Sequence, residues 1–272
     1  MQRGITIKML TNDELLQYVP EDGLLKDRVI LVTGAADGIG RAISLAYARY
    51  GATIVLLGKT IKPLENIYDE IIDAGGAEPA IYPLNMEGAN VHDYQAMAAT
   101  IEKELGRLDG LALNAGWLPA FIPFKEYEVE LWSKTITINL HANFLITQSC
   151  LPLLEKAEDA AIVMSAHASN KAYNGAFGVA KAGLDAMMDI VADEYDRDEL
   201  FIRVNSIDTG PLLTQMRRLN YPLEATETLA SPDAIVGPYL YFMGPDAKKR
   251  TAEHIRYDRL PADARWNGNE TG

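Results

Sequence analysis

Three glycines stand in the run Thr33-Gly34-Ala35-Ala36-Asp37-Gly38-Ile39-Gly40, directly after the apolar stretch Val29-Ile30-Leu31-Val32. A glycine-rich turn between a strand and a helix lets backbone approach a pyrophosphate and lets the helix pack closely on the strand. A helix opening at Ile39-Gly40 would also offer unpaired N–H groups and its positive dipole end to phosphate oxygens. Gly34, Asp37, Gly38, Ile39 and Gly40 are therefore candidate ligands of a dinucleotide. Eighteen residues after Gly40 stands Gly58-Lys59, where a ribose-binding carboxylate is expected in an NAD site. Lys59 can instead meet the 2′-phosphate of NADP, although Asp37 brings negative charge to the same loop. The pattern favours NADP(H) over NAD(H).

Such a loop needs a strand before it and a helix after it, and this alternation continues along the chain. Short β-branched runs predict strands at 28–32, 53–57, 79–84, 110–113, 160–165, 202–206 and 254–257. Helical periods fall near 39–50, 62–74, 91–105, 129–154, 175–195 and 232–242. Strands alternating with helices imply a single-domain α/β fold of Rossmann type. It would be a doubly wound parallel sheet of about seven strands with helices on both faces. Residues 27–260 form that domain. Residues 1–26 read as an N-terminal extension with a short helix at Asn12-Asp13-Glu14-Leu15-Leu16, and 261–272 as a loosely held polar tail.

Composition limits the function classes. The 272 residues are 48% hydrophobic and 23% charged, which is ordinary globular composition. The formal charge, 25 minus 38 or −13, excludes a nucleic-acid or anionic-membrane surface built on basic patches. The single cysteine, Cys150, lies in an apolar run and reads as a buried thiol. No apolar stretch approaches the ~20 residues of a membrane span. Met1–Leu10 lacks a signal-peptide core. A cytoplasmic protein is expected.

The residues resemble the short-chain dehydrogenase/reductase family, and within it a bacterial subgroup of generic oxidoreductases. The loop fits Thr-Gly-x-x-x-Gly-x-Gly, and Leu113-Asn114-Ala115-Gly116 fits the Asn-Ala-Gly motif closing the fourth strand. Asn85-Met86 stands where the family has an adenine-holding Asp-Val pair, and the Asn85 amide oxygen can still accept from the adenine amino group. Asn139 fits the helix asparagine and Lys181 the active-site lysine, which also contacts the nicotinamide ribose. Thr209-Gly210-Pro211-Leu212-Leu213-Thr214 resembles the loop that cups the nicotinamide, placing Gly210, Leu212 and Thr214 at the cofactor. The resemblance covers roughly residues 25 to 258. It implies a homodimer or homotetramer through the helices carrying Asn139 and Lys181. Leu212, Leu213, Met216, Leu219 and Tyr221 suggest an apolar wall for a small carbonyl or alcohol substrate.

Two positions depart from the family, leaving its catalytic tetrad degenerate. Phe177 stands where the family's proton-donating tyrosine would be, four residues before Lys181. The substrate-orienting serine position falls on Ala166, with Ser165 as the alternative alignment. Reduction of a carbonyl builds negative charge on oxygen, which must be protonated or strongly hydrogen-bonded. Loss of a general acid costs ~10²–10⁴-fold in rate, so ordinary ketone and alcohol turnover should be weak. Tyr173 and His167 lie near enough in sequence to substitute, since imidazoles titrate around ~6.5. The bland reading of His167 is an idle loop histidine. His141 reads as packed in its helix, and Asp185, Asp189 and Asp193 as a solvated stripe. No His/Cys cluster has metal-ligand spacing. Two functions stand open: an oxidoreductase with weak or altered hydride transfer, and a non-catalytic dinucleotide-binding sensor or assembly subunit.

Overall fold

The strands that the sequence marks as continuous apolar runs are the ones buried on both faces. The structure, a computed structural model, describes residues 9–168 and 170–270; the expectations for residues 1–8 and 271–272 lie outside it. Seven strands form one parallel sheet in the order β3-β2-β1-β4-β5-β6-β7. They are β1 (Val29–Thr33), β2 (Thr53–Gly58), β3 (Ala80–Pro83), β4 (Gly110–Leu113), β5 (Ala160–Ala166), β6 (Ile202–Asp208) and β7 (His254–Arg256). Parallel neighbours cannot be joined by hairpins, so helices cross over between them. The crossover helices are α2 (Gly38–Arg49), α3 (Ile61–Asp73), α4 (Val91–Leu105), α5 (Val129–Ile136), α6 (Ala142–Leu154), α7 (Gly175–Glu194), α8 (Gln215–Asn220) and α9 (Val236–Met243), and α1 (Asn12–Leu16) precedes β1. None of the described helices is long and apolar enough to cross a membrane.

Strand alternation sorts the core into two layers. Ile30, Val32, Ile54, Leu56, Ala161 and Val163 pack with α2, α3 and α9. Leu31, Val55, Leu111, Ile162 and Met164 pack on the other face with α4, α6 and α7. The chain runs outward from β1 to β3 and returns to β4 on the other side of β1, so strand order reverses between β1 and β4. Ligands of open α/β sheets bind at such a crevice, beyond the carboxyl ends of the strands.

Three expectations change. The helix predicted over 129–154 is interrupted by a π-helical turn, Thr137–His141. There Asn139 turns its amide to the backbone, donating to the carbonyl of Thr135 at 2.9 Å. The described part of the N-terminal extension, from residue 9, packs into the core. Thr11 and Glu14 cap α1 reciprocally, Leu15 and Leu25 are fully buried, and a Cβ on Gly237 of α9 would stand 2.4 Å from the Leu15 carbonyl. The tail expected to be loose is pinned as far as Trp266, which is 2% exposed and donates from Nε1 to the Tyr18 carbonyl at 2.8 Å. A polar composition concealed this one large apolar anchor.

At the amino ends of the strands, away from the reversal point, Asp159 ties three segments together. It accepts from Arg28 ahead of β1 and from Arg203 of β6, with Arg203 Nη2 at 2.8 Å. Burial works to raise the Asp159 pKa, but the two guanidiniums outweigh it and hold the carboxyl below its usual range. Removing one partner strands buried charge on the other. Asp159→Asn is expected to lower unfolding free energy at pH 7 by about 2–3 kcal/mol, after a discount for the partial exposure of Asp159. The Asp159 contribution is present above the unfolded carboxylate pKa and disappears as pH falls through the folded value. The difference between parent and variant in urea unfolding should therefore shrink below about pH 4.

Candidate functional site

Tight backbone packing brings the predicted loop to the sheet reversal. β1 ends at Thr33, and Gly34 follows with φ +65°, a left-handed conformation that favours glycine. Any Cβ on Gly40 would stand 2.0 Å from the Gly34 carbonyl oxygen and 2.7 Å from Asn114 Nδ2. The helix therefore starts in direct contact with the loop backbone. The Thr33 hydroxyl accepts from the Asn114 and Ala115 amides at 3.0 and 2.9 Å, lacing the ends of β1 and β4 together. Asp37 is the N-cap of α2, but its side chain makes no capping bond. The first-turn amides thus have no side-chain acceptor, which suits a phosphate.

A cavity of about 270 Å³ opens here, and segments far apart in sequence meet around it. Gly34 comes from the loop, Gly58 and Lys59 from the end of β2, Asn85 and Met86 from beyond β3, and Ala115 and Gly116 from beyond β4. The glycines fit a bound dinucleotide, because side chains would crowd the cradle. A Cβ would approach Ala115 Cα at 3.0 Å from Gly34, and Asn139 Oδ1 at 3.0 Å from Gly116. Trp117, Glu87 and Lys134 also line the cavity and were not anticipated. Lys134 Nζ lies 3.0 Å from Glu87 and 4.6 Å from the Trp117 ring centroid, closing the rim. Only Trp117 carried a signal, since it directly follows the Asn-Ala-Gly segment.

The loop after β6 lies on the other side of the glycine run. Gly210 has φ +62° and donates from its amide to Asp208 Oδ1 at 3.1 Å. Thr214 accepts from the Arg217 amide and caps α8, and its methyl stands where a Cβ on Gly38 would meet it at 3.0 Å. Leu212 is 3% exposed and bridges to Ala230, so it packs inward. Leu219 is 72% exposed, which removes it from the expected apolar wall. A larger cavity of about 720 Å³ lies behind α2, near Glu70 and Trp266, and contains none of the predicted residues.

At the carboxyl ends of β5 and β6, the residues that the resemblance aligns with the family's proton-transfer positions come together. Phe177 is buried, and its ring centroid lies 5.9 Å from Lys181 Nζ. Lys181 donates to the Ser165 carbonyl at 2.8 Å. Burial pushes its pKa down to about 8, against the opposing pull of Asp185 and Asp208. Asn139 spends its side chain on backbone, accepting from the Trp117 amide at 2.9 Å and donating to the Trp117 carbonyl at 2.8 Å. Alternation on β5 turns Ala166 toward α7, on the face of Met164. Ser165 points to the opposite face, where its hydroxyl donates to Asn114 Oδ1 at 3.1 Å and meets the Tyr239 hydroxyl at 2.7 Å.

Other candidates are placed as follows. His167 has Nδ1 3.5 Å from Asp208 Oδ1, and its ring centroid is 6.0 Å from that of Phe177. Tyr173 is 57% exposed. His141, expected inside its helix, is exposed and stacks on Phe144 at 6.2 Å. The acidic stripe is only partly solvated. Asp189 meets His254 Nε2 at 2.9 Å, and Asp185 is half-buried with its pKa raised by that burial. His254 in turn contacts the Ser206 hydroxyl at 2.9 Å through Nδ1. Sequence spacing could not show β7 arriving beside α7.

The family model for short chain dehydrogenases matches residues 28–223. The chain belongs to the short-chain dehydrogenase family. Among its relatives is the oxidoreductase YciK of Escherichia coli K12, 36% identical over 249 residues, covering 90% of this chain and 97% of YciK. D-threitol dehydrogenase of Mycolicibacterium smegmatis is 32% identical over 198 residues, 72% of this chain and 74% of that enzyme. A short-chain dehydrogenase of Shigella flexneri 2a, solved in complex with NADP, superimposes with TM-score 0.83 at 36% identity, covering 87% of this chain and 99% of that one. One from Escherichia coli CFT073, complexed with NADPH, gives the same TM-score, identity and coverage.

The contact at Gly40 yields a direct test of this short-chain dehydrogenase cradle. Gly40→Ala must push α2 off the loop, because the obstruction is a backbone carbonyl. Overpacking of this kind costs about 1–3 kcal/mol. The variant is expected to melt several degrees lower and to bind NADPH at least about tenfold more weakly by calorimetric titration. Unchanged affinity would show that this packing does not set the phosphate site.

Proposed function

We infer that the protein is an NADP(H)-binding oxidoreductase of the short-chain dehydrogenase type whose hydride-transfer chemistry is altered at the proton-transfer step. The observation that carries this reading is the meeting of Gly34, Gly58-Lys59, Asn85-Met86 and Ala115-Gly116 around one cavity, with Lys181 and Phe177 beyond it. The NADP and NADPH complexes of the two relatives support it. Bound dinucleotide would supply the hydride. The rest of the work falls to the chain. The loop from Gly34 to Gly40 and the first turn of α2 would hold the pyrophosphate, Asn85 and Met86 would take the adenine, and Lys59 would meet the 2′-phosphate. Gly210 and Thr214 would flank the nicotinamide end, where the buried ammonium of Lys181 would meet the ribose hydroxyls.

Neither Phe177 nor Ala166 can donate a proton to a substrate oxygen. Ser165 does not replace them from its position, because its hydroxyl is engaged on the far face of the sheet. The phenyl ring instead dries the pocket, which suits a small apolar carbonyl or alcohol. The same two side chains are the specific observation that favours the second reading, a dinucleotide-binding subunit without catalysis.

Two measurements test this reading. Lys59→Ala should weaken NADPH binding by about tenfold and leave NADH binding unchanged, the loss expected for one charge-assisted phosphate contact. Equal effects on both cofactors would remove the preference for the phosphorylated form. In a panel of aldehydes, ketones and alcohols with both cofactors, the parent should turn over ordinary ketones weakly. Phe177→Tyr combined with Ala166→Ser should raise that rate by ~10²-fold or more. Family-typical rates in the parent would contradict the assignment of Phe177 and Ala166. NADPH binding with no turnover of any compound would favour the subunit without catalysis.

A further inference from the structure

The replaced tyrosine leaves a proton-transfer problem, and an acid–base pair stands beside it. His167 follows β5 directly, and Asp208 ends β6; Asp208 pairs in register with Ala166, so the two residues sit at the same height of the sheet. Asp208 is held rigidly. Its Oδ2 accepts from the Ala168 amide at 2.7 Å and its Oδ1 from the Gly210 amide at 3.1 Å, with His167 Nδ1 3.5 Å from Oδ1. Burial works to raise the Asp208 pKa, but His167 and the two amides outweigh it, so the carboxylate is kept charged. The Lys181 ammonium, close by, also feels this charge. The imidazole lies against Phe177, and its side chain is 36% exposed, so solvent can return a proton to it.

Resting on the oxidoreductase reading above, we propose that His167, oriented by Asp208, is the proton donor of this site and that Phe177 serves as the apolar wall against which the carbonyl is placed. Asp208, 3.5 Å from Nδ1, favours a proton on that nitrogen and leaves Nε2 for the substrate. In reduction, a bound reduced dinucleotide would supply hydride to the carbonyl carbon, and the π pair would move to oxygen. The oxygen takes the Nε2 proton of the imidazolium. Products are the alcohol, oxidised nicotinamide and neutral His167, which regains its proton from water; oxidation of an alcohol runs the same steps backwards. Asp208 touches no substrate and is a positioning residue.

The first test needs neither cofactor nor substrate. Nitrogen-15 NMR of the imidazole rings in the free protein, assigned with His167→Asn, should show neutral His167 protonated on Nδ1. In Asp208→Ala that ring should revert to the Nε2-protonated tautomer of a free histidine. An Nε2-protonated ring in the parent overturns the proposal. In the second test, 4-nitrobenzaldehyde is reduced with NADPH by parent, His167→Ala and Tyr173→Phe, and NADPH affinity is measured alongside. His167→Ala should lose ~10²-fold in kcat with NADPH affinity unchanged, while Tyr173→Phe retains the parent rate. A His167→Ala rate within threefold of the parent overturns the proposal, as does a parent that binds NADPH but reduces no aldehyde. A parent that fails to bind NADPH instead removes the reading beneath it.

Discussion

The carbonyl of Gly34 lies so close to the start of α2 that position 40 has no room for a side chain. From this contact follow the depth at which the helix enters, the direction of its first-turn amides, and the nearness of the loop to the end of β4. The Thr33 hydroxyl then fixes the Asn114 and Ala115 amides, and Asn139 fixes the backbone of Trp117. Each of these side chains holds main-chain atoms of the next segment, so the cradle rests on Thr33, Asn139 and the glycines. Such a frame can persist while the chemistry beside it changes.

The residues on which the proposed chemistry rests lie one strand further along. β5 and β6 deliver Ala166, His167 and Asp208 to the carboxyl edge of the sheet, and α7 lays Phe177 and Lys181 across them. The only hydroxyl on the end of β5, that of Ser165, is turned away by strand alternation and joined to Tyr239. What meets at this edge is a phenyl ring, a methyl group, a buried ammonium and an imidazole 3.5 Å from a carboxylate. An alkoxide forming there could take a proton from the imidazole or be stabilised by the ammonium, and the ring cannot serve it at all.

Much of this was legible in the sequence, for physical reasons. Gly34, Gly38 and Gly40 are read locally, because strand, turn and helix are consecutive. The buried strands β1, β2, β4 and β5 print themselves as apolar runs, and the alternation with helices extends the pattern to β6 and to the edge strands β3 and β7. What was not legible depends on meetings between distant segments. Asp208 lies far from His167 in the chain, and only the pairing of β5 with β6 puts them together. The same holds for His254 against Asp185 and Asp189, and for Lys134 against Glu87. The π-helical turn at Asn139 leaves the helical period nearly intact, so a continuous helix was expected. Trp266 was concealed by its polar neighbours, yet it is the residue that secures the tail. Ser165 and Ala166 are adjacent in sequence, but they occupy opposite faces of the sheet.

The central claim is that an intact dinucleotide cradle leads to a pocket in which Phe177 and His167, rather than a tyrosine, meet the reacting carbonyl. A crystal structure of the NADPH complex tests it most directly. The account predicts a dinucleotide extended along Gly34 to Gly40, with its 2′-phosphate at Lys59. The ribose of the nicotinamide should be at Lys181, and the reactive face of that ring should open toward Phe177 and His167. Density for the dinucleotide in the larger cavity behind α2, or a nicotinamide turned away from Phe177, would contradict it.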